Sequence, residues 1–233
     1  MKPYFAAVKD AIKEGCKYFN EDETVNVAVL IYRDFEDGDY LTESFPKAGG
    51  FTSPKNQNLN KWLDSAGEYG VKSIGTGDAE SVYYGIKTAI NTFHFNPEQS
   101  NILLVVGDCG DNGKMDVKRE ELIDLLVNNK ISLMGFQVRN ENKDEYESFN
   151  YQLTYIMKNA VQRRYDQEMA ISDAKNRVVQ KVEAKALPTD EGWDMVNITG
   201  TNLYLSMHRK SAKFKQDMKP ENLTSSMEDA ISN

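Results

Sequence analysis

Ile102-Leu103-Leu104-Val105-Val106 runs straight into Gly107-Asp108-Cys109-Gly110-Asp111-Asn112-Gly113. Five consecutive aliphatic residues read as a strand buried on both faces, the kind found inside parallel sheets. The glycine-rich, acidic stretch behind it reads as the loop at that strand's carboxyl end, where open α/β sheets bind their ligands. Upstream, Val82, Tyr83, Ile86, Ala89, Ile90 and Phe93 fall at helical spacing and predict a helix over residues 79–93. Downstream, a helix near 117–128 leads into a strand over 131–138. Residues 25–32 become continuously apolar and read as a second buried strand, and Asp37-Gly38 predicts a tight turn into a short antiparallel strand over 40–45. Two further helices are expected: one opened by Pro3 with the stripe Phe5, Val8, Ile12, Cys16 and Phe19, and a short one carrying Leu59, Trp62, Leu63 and Ala66. The alternation predicts an α/β fold: a doubly wound, mostly parallel sheet with one antiparallel hairpin strand and helices on both faces.

The pattern changes after Arg139. Residues 144–187 hold no convincing strand and predict either one very long helix or a closing helix followed by a second. Two short extended pieces, 194–198 and 203–207, follow, and Pro220 opens a final helix with Leu223, Met227 and Ile231. The expected division is an α/β domain over 1–165 and a helical extension over 166–233, with a short extended hairpin and a terminal helix packing on the domain.

Charge and composition narrow the function. The 233 residues carry 28 Lys and Arg against 36 Asp and Glu, a formal charge of −8. That balance argues against a nonspecific nucleic-acid binder, which needs a basic stripe. Residues 1–140 hold 15 basic and 21 acidic side chains, so −6 of the −8 lies in the α/β part. No apolar run approaches the roughly 18 residues of a membrane helix, and the first residues lack the apolar stretch of a signal peptide. Two cysteines, Cys16 and Cys109, cannot make a disulfide scaffold or a zinc cluster.

Three acidic loops are expected at the carboxyl ends of the strands: Tyr32 to Asp39, Gly75-Thr76-Gly77-Asp78-Ala79-Glu80-Ser81, and the loop holding Asp108. A hard cation such as Mg²⁺ takes oxygen ligands from carboxylates, hydroxyls and water. Asp108, Asp78 and Thr76 supply that chemistry, with Asp34, Ser81, Asp111 and Asn112 at the rim or behind it. Each has a purely structural reading as well. Asp78 would cap its helix, with Ser81 three places on, and Asp108 would bond turn amides. Phosphoryl chemistry finds less support: there is no Gly-x-x-x-x-Gly-Lys-Ser/Thr loop, and the first strand ends in Arg33-Asp34 alone. His94, between Phe93 and Phe95, reads as helix-end packing, and the acids beside Cys109 would raise its thiol pKa. No catalytic residue is assigned. Met207 to Lys215 is locally basic, and Arg209, Lys210 and Lys213 are candidates for contact with an acidic or phosphate-bearing partner.

Tyr32-Arg33-Asp34, Gly75-Thr76-Gly77-Asp78-Ala79-Glu80-Ser81 and Val105-Val106-Gly107-Asp108 resemble a bacterial branch of the von Willebrand factor type A family. That resemblance covers about residues 1–160. It implies a doubly wound α/β sheet with a metal-ion-dependent adhesion site, in which Asp108 ligates directly and Thr76 or Asp78 takes the middle-loop role. The family's Asp-x-Ser/Thr-x-Ser motif after the first strand has no counterpart here. Met1-Lys2-Pro3-Tyr4 resembles the helix start that follows that motif, so the chain is expected to begin just after it. A missing central strand would expose two unpaired edges. Either the natural protein continues upstream or a C-terminal piece, 194–198 or 203–207, substitutes. The resemblance thus implies a protein-interaction domain of a larger bacterial protein in the cytoplasm or periplasm, part of a multiprotein assembly. Its site would take Mg²⁺ or Mn²⁺, or stand empty for want of the missing motif. The alternatives are a metal-independent structural module and a metal-dependent phosphoesterase.

Overall fold

The computed structural model describes residues 5–19, 24–66, 79–137, 144–173, 184–188, 193–198 and 204–210. The described residues divide into two compact units, one drawn from 5–94 and 111–115 and the other from 95–110 and 116–210.

In the first unit, helix α1 (Phe5–Tyr18) turns Val8, Ala11 and Cys16 inward. Helix α2 (Gln57–Ser65) buries Leu59 and Leu63. Cys16, Leu59 and Leu63 form a core cluster on which Ile12, Val27, Val29, Phe45 and Trp62 pack, with the Phe45 and Trp62 rings 5.8 Å apart. The start of α2 is set by Asn56, whose side-chain oxygen accepts from the Asn58 amide at 3.0 Å, satisfying an N–H that the helix itself cannot. Strands β1 (Val29–Tyr32) and β2 (Thr42–Phe45) pair antiparallel, Val29 opposite Phe45 and Tyr32 opposite Thr42. They form a sheet of their own, and β1 is half-buried along its length. The strand expected from residue 25 therefore starts at Val29, preceded by one bridge between Val27 and Thr52. A 3₁₀ turn, Phe35–Tyr40, replaces the expected two-residue turn. Helix α3 (Val82–Phe93) buries the predicted stripe. Its Gly85 lies against β1, where an added Cβ would stand 2.8 Å from Tyr32 Cβ.

In the second unit, strand β3 (Asn101–Gly107) and strand β4 (Ile131–Gln137) run parallel, Gly107 opposite Gln137. Helix α4 (Arg119–Asn128) connects them. Asn101 is buried and donates to the Asn96 carbonyl at 2.8 Å and the Asn129 carbonyl at 3.1 Å, tying the start of β3 to the end of α4. Helix α5 (Asp144–Asp173) is a single helix of 30 residues, the longer of the two expectations. It packs on α4 and along β4, burying Phe149, Leu153, Ile156 and Met157 beside the buried Leu122, Ile123 and Leu126 of α4.

The C-terminal region departs from the sequence reading. Three strands follow α5: β5 (Ala184–Pro188), β6 (Trp193–Ile198) and β7 (Tyr204–Lys210). The last two are the expected extended pieces; β5 was expected to be helical. Ala and Lys have weak strand preference, and Ala184-Lys185-Ala186-Leu187 becomes a strand through its ladder with β6, Ala186 opposite Val196 and Leu187 opposite Met195. Strand β7 then joins β4 in parallel through Gly135–His208, Phe136–Arg209 and Gln137–Lys210. The order is β3-β4-β7-β6-β5, so the sheet is mixed rather than mostly parallel. The C-terminal piece extends the β4 side, and β3 ends the order among the described residues. The final helix expected from Pro220 lies outside the described residues.

Candidate functional site

The first unit gathers four of the expected site residues around the start of α3. Asp34 follows β1, whose exit is anchored by Arg33, buried and paired with Glu43 on β2 at 2.8 Å. One oxygen of Asp34 accepts from the Phe35 amide at 2.7 Å and from the Asn112 side chain at 2.6 Å. The Asn112 amide in turn donates to the Glu80 carbonyl at 2.9 Å. Asp111 accepts from the Tyr83 amide at 2.7 Å with one oxygen and from the Gly113 amide at 2.9 Å with the other. Lys114 pairs with Glu36 across the two loops.

Asp111 is therefore a helix cap delivered from 28 residues away. Tyr83 occupies the first turn of α3, where backbone N–H groups lack intrahelical partners and the helix end favours negative charge. Ser81 stands at the cap position but makes no side-chain cap bond; it is fully buried and its Oγ has no hydrogen-bond partner among the described residues. Burial pushes the Asp111 carboxyl above its ordinary value, against the lowering effect of its two amide donors. Asp34 is also pushed up, first by desolvation and then by its hydrogen bond with Glu36. Glu36 moves the other way, to about 2, because the Lys114 ammonium holds its charged form.

Asp108 belongs to the second unit and is buried there. Its side chain accepts from the Cys109 amide at 3.1 Å, and its carbonyl accepts from the buried Gln137 side chain at 3.1 Å. Gly110 lies against the first turns of α5, where a Cβ would stand 2.7 Å from Gln152 Oε1 and 2.9 Å from Phe149 N. This glycine serves close packing. Cys109 and Cys16 are both buried and neither is in a disulfide, and burial raises the Cys16 pKa to about 11.

Thr76, Asp78 and Lys213 lie outside the described residues. Arg209 and Lys210 end β7, opposite Phe136 and Gln137, which sets this basic pair at the carboxyl end of β4. Among the described residues, no group of three or more His, Cys, Asp or Glu side chains is arranged to hold a metal ion. A hard cation asks for about six oxygen ligands, whereas both Asp111 oxygens are taken by backbone amides and one Asp34 oxygen by two donors. No described helix is long and apolar enough to cross a membrane.

Sequence reading missed Glu36 and Lys114 as a cross-loop clamp. Short-range signals existed for part of the network: Asp34–Phe35, Asp111–Gly113 and Asn112–Lys114 are local side-chain-to-amide bonds of the kind Asp and Asn make in turns. Nothing local announces the Asp34–Asn112 contact. Residues 2–183 match the family described as TssR protein VWA domain. No curated protein matches the chain.

Proposed function

The chain belongs to the TssR protein VWA-domain family, and on that premise we propose that it is a noncatalytic module that binds another protein within a larger bacterial assembly, through loop contacts that need no bound cation. The observation that carries the cation-free reading is the commitment of Asp111: both carboxylate oxygens hold backbone amides and fix the α3 start. Acidic loop residues that resemble a ligand shell thus do structural work. The reading takes over the doubly wound layout of the type A fold for the α/β portion, with β5 to β7 added to its sheet beyond β4 in place of the separate extension expected over 166–233. It places the module in the bacterial cytoplasm or periplasm.

The cation-dependent alternative rests on Asp108 with Thr76 and Asp78. In the protein-binding form of that alternative, Mg²⁺ or Mn²⁺ would supply an open coordination position for a partner's carboxylate. Thermal unfolding of the full chain with millimolar Mg²⁺ or Mn²⁺ separates the two. No cation-dependent rise in Tm is expected for the wild type or for Asp108→Ala. A rise in the wild type that Asp108→Ala abolishes would overturn the cation-free reading.

A further inference from the structure

Phe35 opens the 3₁₀ turn after β1 with its side chain half exposed, at 50%, yet the turn that carries it is held on both sides. Its amide donates to Asp34, which also takes the Asn112 side chain. The Asp37 amide closes on the Asp34 carbonyl at 3.1 Å. Glu36 is paired with Lys114, and Arg33 is buried against Glu43. An aromatic ring on a fixed support loses little conformational freedom on binding, and such rings dominate the energetics of interfaces when they enter a desolvated pocket. Three carboxylates, Asp34, Glu36 and Asp37, surround it in sequence, and Lys114 offsets one of them. The other large exposed hydrophobic residues differ. Phe51 already packs on Phe93, with ring centroids 5.9 Å apart, and Tyr151 stands on the surface of α5.

We propose that Phe35 is a docking anchor, its ring filling an apolar socket on a different protein whose rim presents Lys or Arg to the acidic turn at Asp34 and Glu36. This rests on the reading of the chain as a protein-binding module. A second copy of the chain is the poorer occupant, because it would bring the same acidic turn against this one, and like charges in juxtaposition are repelled.

The test replaces Phe35, Phe51 or Tyr151, one at a time, with a photoreactive phenylalanine analogue in the full-length protein, in the cell that makes it. Cross-linked peptides are then sequenced. The expected result is an adduct from position 35 to one other protein, at a peptide mixing apolar and basic residues, with none from positions 51 and 151. With that protein purified, Phe35→Ala should weaken binding about 30-fold, the size of an interface hot spot. Phe35→Leu should lose less, both variants should keep the wild-type Tm, and affinity should fall as salt rises. Adducts from position 51 or 151 alone would overturn the anchor and leave the protein-binding reading standing. So would adducts from 35 to a second copy or to an acidic peptide. Silence at all three positions would remove both.

Discussion

The stretch 108–114 divides between two kinds of structure. Its first half, Asp108 to Gly110, is buried in the second unit, held by Gln137 and pressed against the start of α5. Its second half, Asp111 to Lys114, is half-exposed or exposed in the first unit and stitched by hydrogen bonds to Asp34, Glu80 and Tyr83 and by an ion pair to Glu36. The same composition of glycine and acid thus serves packing in one place and polar bridging in the other. Residue type alone does not distinguish a ligand loop from either.

The two halves should break differently. Gly110→Ala places a Cβ against Phe149 N and Gln152 and should cost about 1–3 kcal/mol, the range of core overpacking. Gly113→Ala meets nothing within 4 Å, but its φ of +69° disfavours a side chain, for about 1 kcal/mol. Urea unfolding of both variants checks this; a smaller loss at Gly110 than at Gly113 would reverse the comparison. Asp111→Ala removes the remote cap and should cost about 0.5–2 kcal/mol, with loss of amide protection at Tyr83 in hydrogen exchange.

Acid sharpens the contrast within the polar half. Glu36 has its folded pKa depressed to about 2, so its hold on Lys114 is complete above the ordinary value of 4.5 and is lost as pH falls toward 2. Asp111 is shifted upward. Its effect on stability therefore has the opposite sign, with stability falling as pH rises from 3.8 through the folded value. Carboxyl NMR titration should find Glu36 below and Asp111 above the usual range; the reverse order would contradict the Lys114 clamp.

Smaller effects are expected elsewhere. Arg163 joins Glu120 at 2.9 Å and also Asp124 on the outer side of α4 and α5. Arg163→Ala should cost at most about 1 kcal/mol and less in high salt, as exposed ion pairs do. Ser81→Ala should leave stability unchanged or raise it, although Ser at a helix cap normally contributes about 1 kcal/mol, because its buried Oγ has no hydrogen-bond partner among the described residues and its removal relieves a desolvation cost. A loss of the usual size would show that Ser81, and not Asp111 alone, caps α3.

Much of the fold was legible because it rests on short-range periodicity. The stripe from Val82 to Phe93 and the α5 stripe through Phe149, Leu153 and Ile156 bury the residues that their spacing selects, while the run from Ile102 to Val106 forms the expected strand with Val105 buried and the other four residues half-buried. Strand β5 was illegible for the converse reason: Ala184-Lys185-Ala186-Leu187 acquires its conformation from a neighbour that lies beyond it in the chain. Of the candidate site, Asp34, Ser81, Asp111 and Asn112 lie together at the start of α3, and their hydrogen bonds were not legible in the sequence. Asp111 has a donor on each oxygen, and Ser81 has none on its hydroxyl.

By itself, then, the sequence determined the helices, the β3 strand, the acidic character of the loops and the resemblance to the type A family, all properties of residues near one another in the chain. Only the tertiary structure decided that β7 adds to β4, that β1 and β2 form a separate sheet, and that Asn112 reaches Asp34 across 78 residues. A hydrogen bond over such a span exists only after the intervening chain has folded. The physical reason is loop closure: packing of the intervening elements fixes which distant polar groups meet, and local propensity carries no record of that choice.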